Sequence, residues 1–310
     1  MSGARDPAVA AALRAEVRGE VREAEPLSRY STYRIGGPAT VFIPVGVEDV
    51  SKALAFATER GIPWLALGLG SNVLLPDEGL DAVVIRVGKG LDAIRSDGPR
   101  WWIGAGLPAP LAARRTAEAG FGGLHKMVGV PGSVGGGVYM NAGCHGAQWS
   151  DVTRRVTVAE ADGEVWTIEA RDIPFTYRRS GLDRRVVLEV EVDLEEDDPD
   201  RLRAEVAALF RWRQQGTPFN QPCCGSVFKN PGGPRTAGQL IEAAGLKGRR
   251  EGGAEVSPMH ANYFVNTGGA TAGDVRRLID LARTEVRTRF GVELETEVKV
   301  IGTDGRYVSP

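Results

Sequence analysis

The chain has 310 residues, 42% of them hydrophobic and 25% charged, a globular composition that excludes intrinsic disorder and leaves room for two or three domains. Its 41 glycines, about 13% against a usual ~7%, follow no period of three, so collagen-like repetition is excluded. With 38 basic and 40 acidic residues and a formal charge of −2, no polyanion-binding surface is advertised and nucleic acid is not an expected partner, although a local phosphate pocket stays open.

In chain order, residues 7–21 read as a short helix, followed by the stretch PLSRYSTYRIGGPA. A strand near Thr40–Val45, a helix over Val47–Arg60 and strands near Trp64–Leu67 and Ala82–Val87 come next. A strand at Arg100–Ile103 leads into an Ala-rich helix from Pro108 to Ala119, and glycine-rich loop fills much of 120–146. Strands at Arg155–Ala161 and Glu164–Glu169 flank Asp162-Gly163, a hairpin signal. Val186–Leu194 alternates apolar residues with Glu189, Glu191 and Asp193, as a half-buried strand does. The acidic run Glu195–Asp200 interrupts every apolar period and marks a boundary. Beyond it lie a helix over Asp200–Arg213, glycine-rich loop, a helix over Thr236–Ala244 and a strand at Asn262–Asn266. A helix over Thr271–Phe290 has Thr271 and Asp274 suited to its start and Val275, Leu278, Ile279, Ala282, Val286 and Phe290 on one face. A final strand covers Val292–Ile301. No internal repeat is visible, and the pattern is that of an α+β protein.

Cys144, Cys223 and Cys224 form no C-x-x-C pair, and three cysteines cannot all pair among themselves, which suits a reducing cytoplasm. Arg5, Asp6, Arg14 and Glu16 break up the N-terminal stretch, so no signal peptide is expected there. No apolar run approaches the roughly 18 residues of a membrane span. His125, His145 and His260 lack ligand spacing, and no metal is expected.

Gly104-Ala105-Gly106-Leu107-Pro108-Ala109 formally fits a dinucleotide fingerprint, but no second strand ending in an acid follows, so it reads as a tight turn. Gly68-Leu69-Gly70-Ser71-Asn72, the run Gly129–Gly137 and Asn141-Ala142-Gly143 are more informative. Repeated glycines expose consecutive backbone N–H groups, and such nests hold phosphate without lysine. Each alone could be a turn; together they argue for a diphosphate-bearing cofactor. Cys224-Gly225-Ser226-Val227-Phe228-Lys229-Asn230-Pro231 puts a hydroxyl, an ammonium and an amide close together, yet also reads as a short strand and turn. Glu297 falls on a charged face opposite Val292, Leu294, Thr296, Val298 and Val300, and Tyr177-Arg178-Arg179-Ser180 could be only a basic turn. The residues alone lead to a nucleotide-like ligand and no particular reaction.

In order along the chain, TYRIGGPA at 32–39, GLGSNVLL at 68–75, GVPGSVGGGVYMNAG at 129–143, FTYRRS at 175–180, GSVFKNP at 225–231, AGQLIEAAGLKG at 237–248, HANYFVNTGGATAGDV at 260–275 and LETEVKVIG at 294–302 closely resemble the UDP-N-acetylenolpyruvoylglucosamine reductase (UDP-N-acetylmuramate dehydrogenase) family. The resemblance looks like the shorter subclass, without a larger tyrosine-bearing insertion. It implies an N-terminal helix and lead-in (1–27), a two-lobed FAD-binding domain of the vanillyl-alcohol-oxidase (PCMH) type (28–198), a smaller α/β C-terminal domain binding a UDP-sugar (199–302) and a tail (303–310). FAD would be bound non-covalently, with NADPH as co-substrate and UDP-N-acetylglucosamine enolpyruvate as substrate, in a cytoplasmic monomer of peptidoglycan precursor synthesis.

Residue by residue, the resemblance carries catalysis to Arg178, Ser226 and Glu297. It carries FAD binding to Arg34, Gly68, Gly70, Ser71, Asn72, Val130, Pro131, Gly132, Ser133, Gly135, Gly136, Asn141, Ala142, Gly143 and Lys299, and substrate binding to Tyr177, Lys229, Asn230 and Gln239. The implied chemistry is hydride transfer from flavin N5 to C3 of the enolpyruvyl ether and proton transfer from Ser226 to C2. Arg178 and Glu297 would then bracket the substrate carboxylate. Cys144-His145 stands where Ala-Tyr is common, and Lys299 where Arg is common. Two other readings compete: a flavin oxidase with FAD attached to His125 or His145, and a non-catalytic nucleotide-sugar-binding protein.

Overall fold

The computed structural model describes residues 3–308; the outermost residues of the expected lead-in and tail lie outside that range. Two compact units share the chain, and neither is one run of sequence. The first takes the residues up to Ala24, Thr40–Leu69 and Asp81–Arg213; the second takes Glu25–Ala39, Gly70–Leu80 and the chain from Gln214 onward. These units do not coincide with the expected domains of 28–198 and 199–302. The helix Pro199–Gly216 begins at the acidic boundary yet belongs to the first unit as far as Arg213, and two short segments of the N-terminal half belong to the second unit.

In the first unit, Asp6 accepts a hydrogen bond from Ala8 N–H at 2.9 Å and Pro7 opens the helix Pro7–Glu16, pre-set for its first turn. The expected helix over 7–21 stops there, because Val17 turns extended and the chain enters the strand Glu20–Pro26. That strand edges a sheet in the order Glu20–Pro26, Pro38–Ile43, Val83–Arg86, Trp64–Leu67. The last three strands are parallel, with Val47–Glu59 as the connecting helix.

The other sheet of this unit is antiparallel, in the order Val165–Glu169, Thr153–Ala159, Val186–Asp193, Arg100–Gly104, Ile94–Asp97. The Asp162-Gly163 turn closes its first hairpin, with Gly163 at φ +89°. Val186–Asp193 is more buried than its alternation suggests. Glu191, on the charged face, is only 6% exposed, with the guanidiniums of Arg100, Arg154 and Arg155 at 3.3, 3.2 and 3.6 Å.

The glycine-rich stretch 120–146 is not all loop: it holds the 3-10 helix Leu124–Gly129 and the α-helix Val134–Tyr139. Ser133 caps the latter, accepting from Gly136 N–H at 3.3 Å. Its glycines serve close packing. A Cβ on Gly135 would lie 2.8 Å from the Ala105 methyl, and one on Gly137 would collide with the Trp149 indole.

The second unit centres on the helix Ala272–Phe290, which begins with a reciprocal Thr271–Asp274 capping box and ends at Gly291 in the left-handed conformation. Asp77 adds acceptors for Ala272 and Gly273 N–H at 2.9 and 3.3 Å. The helix buries Val275, Leu278, Ile279, Ala282 and Val286 in a core shared with Phe228, Leu240, Ile241 and Phe264. Beside it are the helix Ala237–Ala243 and an antiparallel sheet of Arg250–Glu251, Ala254–Val256 and Phe264–Asn266. The expected strand Val292–Ile301 is paired as a strand only at Lys299–Val300, parallel to Val73–Leu74. Upstream, Leu294, Thr296 and Val298 are buried in alternation, but the neighbour is the irregular 225–229 segment. The whole is a mixed α+β architecture.

Gly137→Ala is expected to cost about 1–3 kcal/mol through overpacking against Trp149, read as a lowered midpoint in chemical denaturation.

Candidate active site

In the first unit, Gly68 meets the Ser133 loop so closely that a Cβ on it would run into Ser133 Oγ. Arg86 ties the turn down through the Leu67, Gly68 and Val87 carbonyls. Gly132, at φ +124°, completes the second loop. Two glycine-bearing turns in contact, with only the small Ser133 side chain between them, fit a diphosphate approached by main chain.

The expected row of open N–H groups is shorter than the glycine count suggests. Val134 N–H donates to Leu107, Gly135 to Ala105 and Gly137 to Ser133 carbonyls at 2.8–2.9 Å, and Gly136 N–H to Ser133 Oγ. Val130 N–H is likewise spent on Met127 O at 2.9 Å and Pro131 has none, so any cradle rests on Gly132, Ser133 and Gly68, and Gly135 and Gly136 shape it from behind.

Asn141 is 1% exposed and sits at φ +41°. Its Nδ2 donates to Thr176 O at 3.0 Å and to Gln148 Oε1 at 3.3 Å, and its Oδ1 accepts from Ser150 N–H at 3.0 Å. It is a staple between two loops. Ala142 joins the same framework through Gly137 and Trp149. Gly143-Cys144 pairs with Ala147-Gln148, and the turn between them carries His145 at φ +54°, edge-on to Trp212 at 4.9 Å. Burial pushes the Cys144 thiol up and the His145 imidazole down from their ordinary pKa values.

Arg178 stands at the tip of a two-residue turn closed by the Thr176–Arg179 backbone pair. Its φ is +59°, a conformation uncommon outside glycine that needs local support. The support is visible. Arg178 Nη2 donates to Gly143 O at 3.0 Å, Ser180 Oγ donates to Tyr139 O at 2.7 Å, and Asn141 holds Thr176 O. Ser180 is 1% exposed. Burial, with Asp183 beside it, pushes the Tyr139 phenol up to about 12. The structure thus brings Asn141, Gly143, Tyr177 and Arg178 together. The Tyr177 ring is exposed, with the Arg178 guanidinium 4.7 Å from its centroid.

In the second unit, a left-handed Gly225 turns the chain into the Ser226–Lys229 segment. Val227 O accepts from Glu297 N–H at 2.8 Å and Val298 N–H at 3.2 Å, and Lys229 N–H donates to Glu295 O at 2.9 Å. Asn72 joins the same frame, donating Nδ2 to Glu297 O at 3.1 Å and accepting from Lys299 N–H at 3.0 Å. Gly70 lies too close to Tyr30 O for any side chain. Cys224, 1% exposed, lies 3.2 Å from Val73 O, and burial pushes its thiol up to about 12. Ser226, Lys229, Ser71, Asn72, Glu297 and Lys299 are therefore carried on three adjoining segments. Ser226 and Glu297 are both half-buried.

Lys229 is ion-paired with Glu295. Asn230 accepts from Ala237 N–H at 3.1 Å, and Gln239 accepts from Thr236 N–H at 2.9 Å in a capping box. Both side-chain oxygens thus serve the start of the helix Ala237–Ala243. Arg34 is exposed, at φ +56°.

One supporting residue lies inside a resembling motif that gives it no role of its own. Asn262, 4% exposed, accepts from Phe228 N–H at 3.0 Å and donates to Phe228 O at 2.8 Å, while its own carbonyl accepts from Val227 N–H at 2.8 Å. It lies in HANYFVNTGG, where nothing but the position of a buried amide in a strand pattern could have singled it out. Among the described residues no cluster of three or more His, Cys, Asp or Glu could hold a metal, and no helix is long and apolar enough to cross a membrane.

Comparison with known proteins gives this geometry its context. Residues 38–169 match the family profile of the FAD binding domain, and residues 217–301 that of the C-terminal domain of UDP-N-acetylenolpyruvoylglucosamine reductase. The two together define an FAD-dependent oxidoreductase. The UDP-N-acetylenolpyruvoylglucosamine reductase of Bacillus velezensis is 40% identical over 294 residues, covering 94% of this chain and 97% of its own. That of Heliobacterium modesticaldum is 41% identical over 296 residues, 94% of each. The crystal structure of the Thermus caldophilus UDP-N-acetylenolpyruvylglucosamine reductase superposes with a TM-score of 0.79 at 35% identity, covering 91% of this chain and 99% of that one. The chain belongs to the UDP-N-acetylenolpyruvoylglucosamine reductase family.

Asn262→Ala leaves the buried Phe228 N–H and C=O without their side-chain partner, at about 1–3 kcal/mol for each group. The variant is expected to unfold at a lower denaturant concentration than the parent.

Proposed function

We propose that the protein, as a cytoplasmic monomer, reduces UDP-N-acetylglucosamine enolpyruvate to UDP-N-acetylmuramate at the expense of NADPH, with Arg178, Ser226 and Glu297 as its catalytic residues. One observation carries the assignment. Ser226 and Glu297 are borne on segments tied backbone to backbone through Val227, so the proton donor and the carboxylate-binding group keep a common frame. The three cysteines, none in a disulfide, suit a reducing compartment.

FAD, when bound, would supply the redox chemistry, the passage of a hydride from NADPH to C3 of the enolpyruvyl ether. Gly68, Ser71, Asn72, Gly132 and Ser133 hold its diphosphate, Val130, Pro131, Gly135, Gly136, Asn141, Ala142 and Gly143 shape those loops, and Arg34 and Lys299 supply positive charge. Hydride addition at C3 leaves an electron pair at C2, spread into the substrate carboxylate. Arg178 holds that carboxylate with a guanidinium aimed by Gly143, and Glu297 holds it by sharing a proton, so that the accumulating charge is met by donors already in place. Ser226 Oγ gives its proton to C2 and completes the reduction. Lys229, Asn230, Gln239 and Tyr177 serve substrate binding, Lys229 by exchanging Glu295 for a phosphate oxygen.

In stopped-flow measurements, Ser226→Ala is expected to keep NADPH reduction of the flavin within about twofold, and to slow flavin reoxidation by the enolpyruvyl substrate by the ~10²–10⁴ typical of a positioned acid. Equal loss in both half-reactions, in folded and FAD-loaded protein, would sink the assignment.

Arg178→Lys is likewise expected to impair only the second half-reaction, because an ammonium cannot make a bidentate carboxylate contact. Single-turnover reoxidation rates decide it, and an unchanged rate removes Arg178 from the mechanism.

A further inference from the structure

Beyond the residues matched to the reductase C-terminal domain, 217–301, the chain makes one more hairpin. Gly302 N–H donates to Arg306 O at 2.8 Å, and Val308 N–H to Val300 O at 2.9 Å. Gly305 turns the chain at φ +76°, Asp304 accepts from Arg306 N–H at 3.0 Å, and Ile301 and Tyr307 are bridge partners. The Tyr307 side chain then doubles back along the segment bearing Glu297. Its hydroxyl lies 3.4 Å from Thr296 Oγ1, and the Lys299 ammonium sits 4.6 Å from its ring centroid. The ring is 46% exposed, so covering apolar core does not explain its placement.

The Lys299 backbone is held by Asn72, and the posture of its four-carbon stem sets where the ammonium lies. An arginine would present a planar, pre-organised fork, whereas the flexible stem of a lysine gains from having its head confined by a neighbour. An aromatic face does this by attraction between the ring and the cation, and confinement before binding lowers the entropy lost when a ligand arrives.

We propose that Tyr307 is a positioning residue that holds the Lys299 ammonium ready for bound FAD. The proposal rests on the reading of Lys299 as a flavin contact. It makes the tail hairpin part of the cofactor-binding apparatus.

The test is the FAD dissociation constant, measured from the flavin fluorescence released when holoprotein is diluted, for Tyr307→Leu, Tyr307→Phe, Lys299→Met and the Tyr307→Leu/Lys299→Met pair. Thermal unfolding of each variant is followed in parallel. Tyr307→Leu is expected to weaken FAD binding about two- to fivefold, the scale of an exposed cation–ring contact. Tyr307→Phe, which keeps the ring, should stay within twofold of the parent, and Tyr307→Leu should add nothing once Lys299 is Met. If Lys299→Met weakens binding and Tyr307→Leu does not, the role of Tyr307 is overturned alone. If Tyr307→Leu weakens binding equally with and without Lys299, its role is structural and the proposal fails. If Lys299→Met has no effect, the reading of Lys299 itself is wrong.

Discussion

The carbonyl of Val227 accepts two backbone N–H groups, those of Glu297 and Val298, and the second unit's chemistry depends on that junction. It sets a segment with no regular secondary structure beside another that is barely a strand. Neither would hold its shape alone, since each lacks the ladder that fixes register in a sheet. Asn262 substitutes for the ladder by pairing both polar groups of Phe228, and Asn72 does the same for Glu297 and Lys299. The Ser226 hydroxyl can thus sit on irregular backbone while the burial of Val227, Phe228, Thr296 and Val298 keeps that backbone still.

The first unit reaches a similar end by other means. Arg178 is placed by a left-handed backbone at the tip of a two-residue turn, a costly arrangement for a non-glycine residue. Asn141, Ser180 and the Gly143 carbonyl surround it and make that conformation the satisfied one. Asn141 is then not an accessory of a glycine loop but the joint between that loop and the arginine turn.

Much of this was legible beforehand. The helix Ala272–Phe290 announced itself through Thr271, Asp274 and a regular apolar face, and the hairpin at Asp162-Gly163 through its turn, because both signals are local. What escaped was non-local. Ile94–Asp97 has no apolar alternation of its own and is a strand only because Arg100–Gly104 lies beside it. Val292–Val298 has the alternation of a strand but no strand to pair with. The glycines of 134–137 looked like a phosphate nest, yet spacing cannot tell an open N–H from one consumed by Ala105 or Leu107. At the candidate site, Arg178, Ser226 and Glu297 stood out only through ordered motifs. Their supports, Asn262 and Glu295, carry no motif that chemistry alone would mark.

The second unit gathers residues 25–39, 70–80 and the chain beyond 213, and this has a bearing on biosynthesis. Val73–Leu74 leaves the ribosome long before Lys299–Val300, its strand partner, and Asp77 waits as long for the amides of Ala272 and Gly273. Contacts so distant in sequence carry a large loop-closure cost and form slowly. For most of translation the 70–80 segment is a half-made edge. The C-terminal region, expressed by itself, would in turn lack the strand, the Asp77 acceptors at the helix start and the carbonyls around Cys224 that complete it. Because each unit is assembled from separate stretches of sequence, the two cannot be separated with a pair of restriction sites.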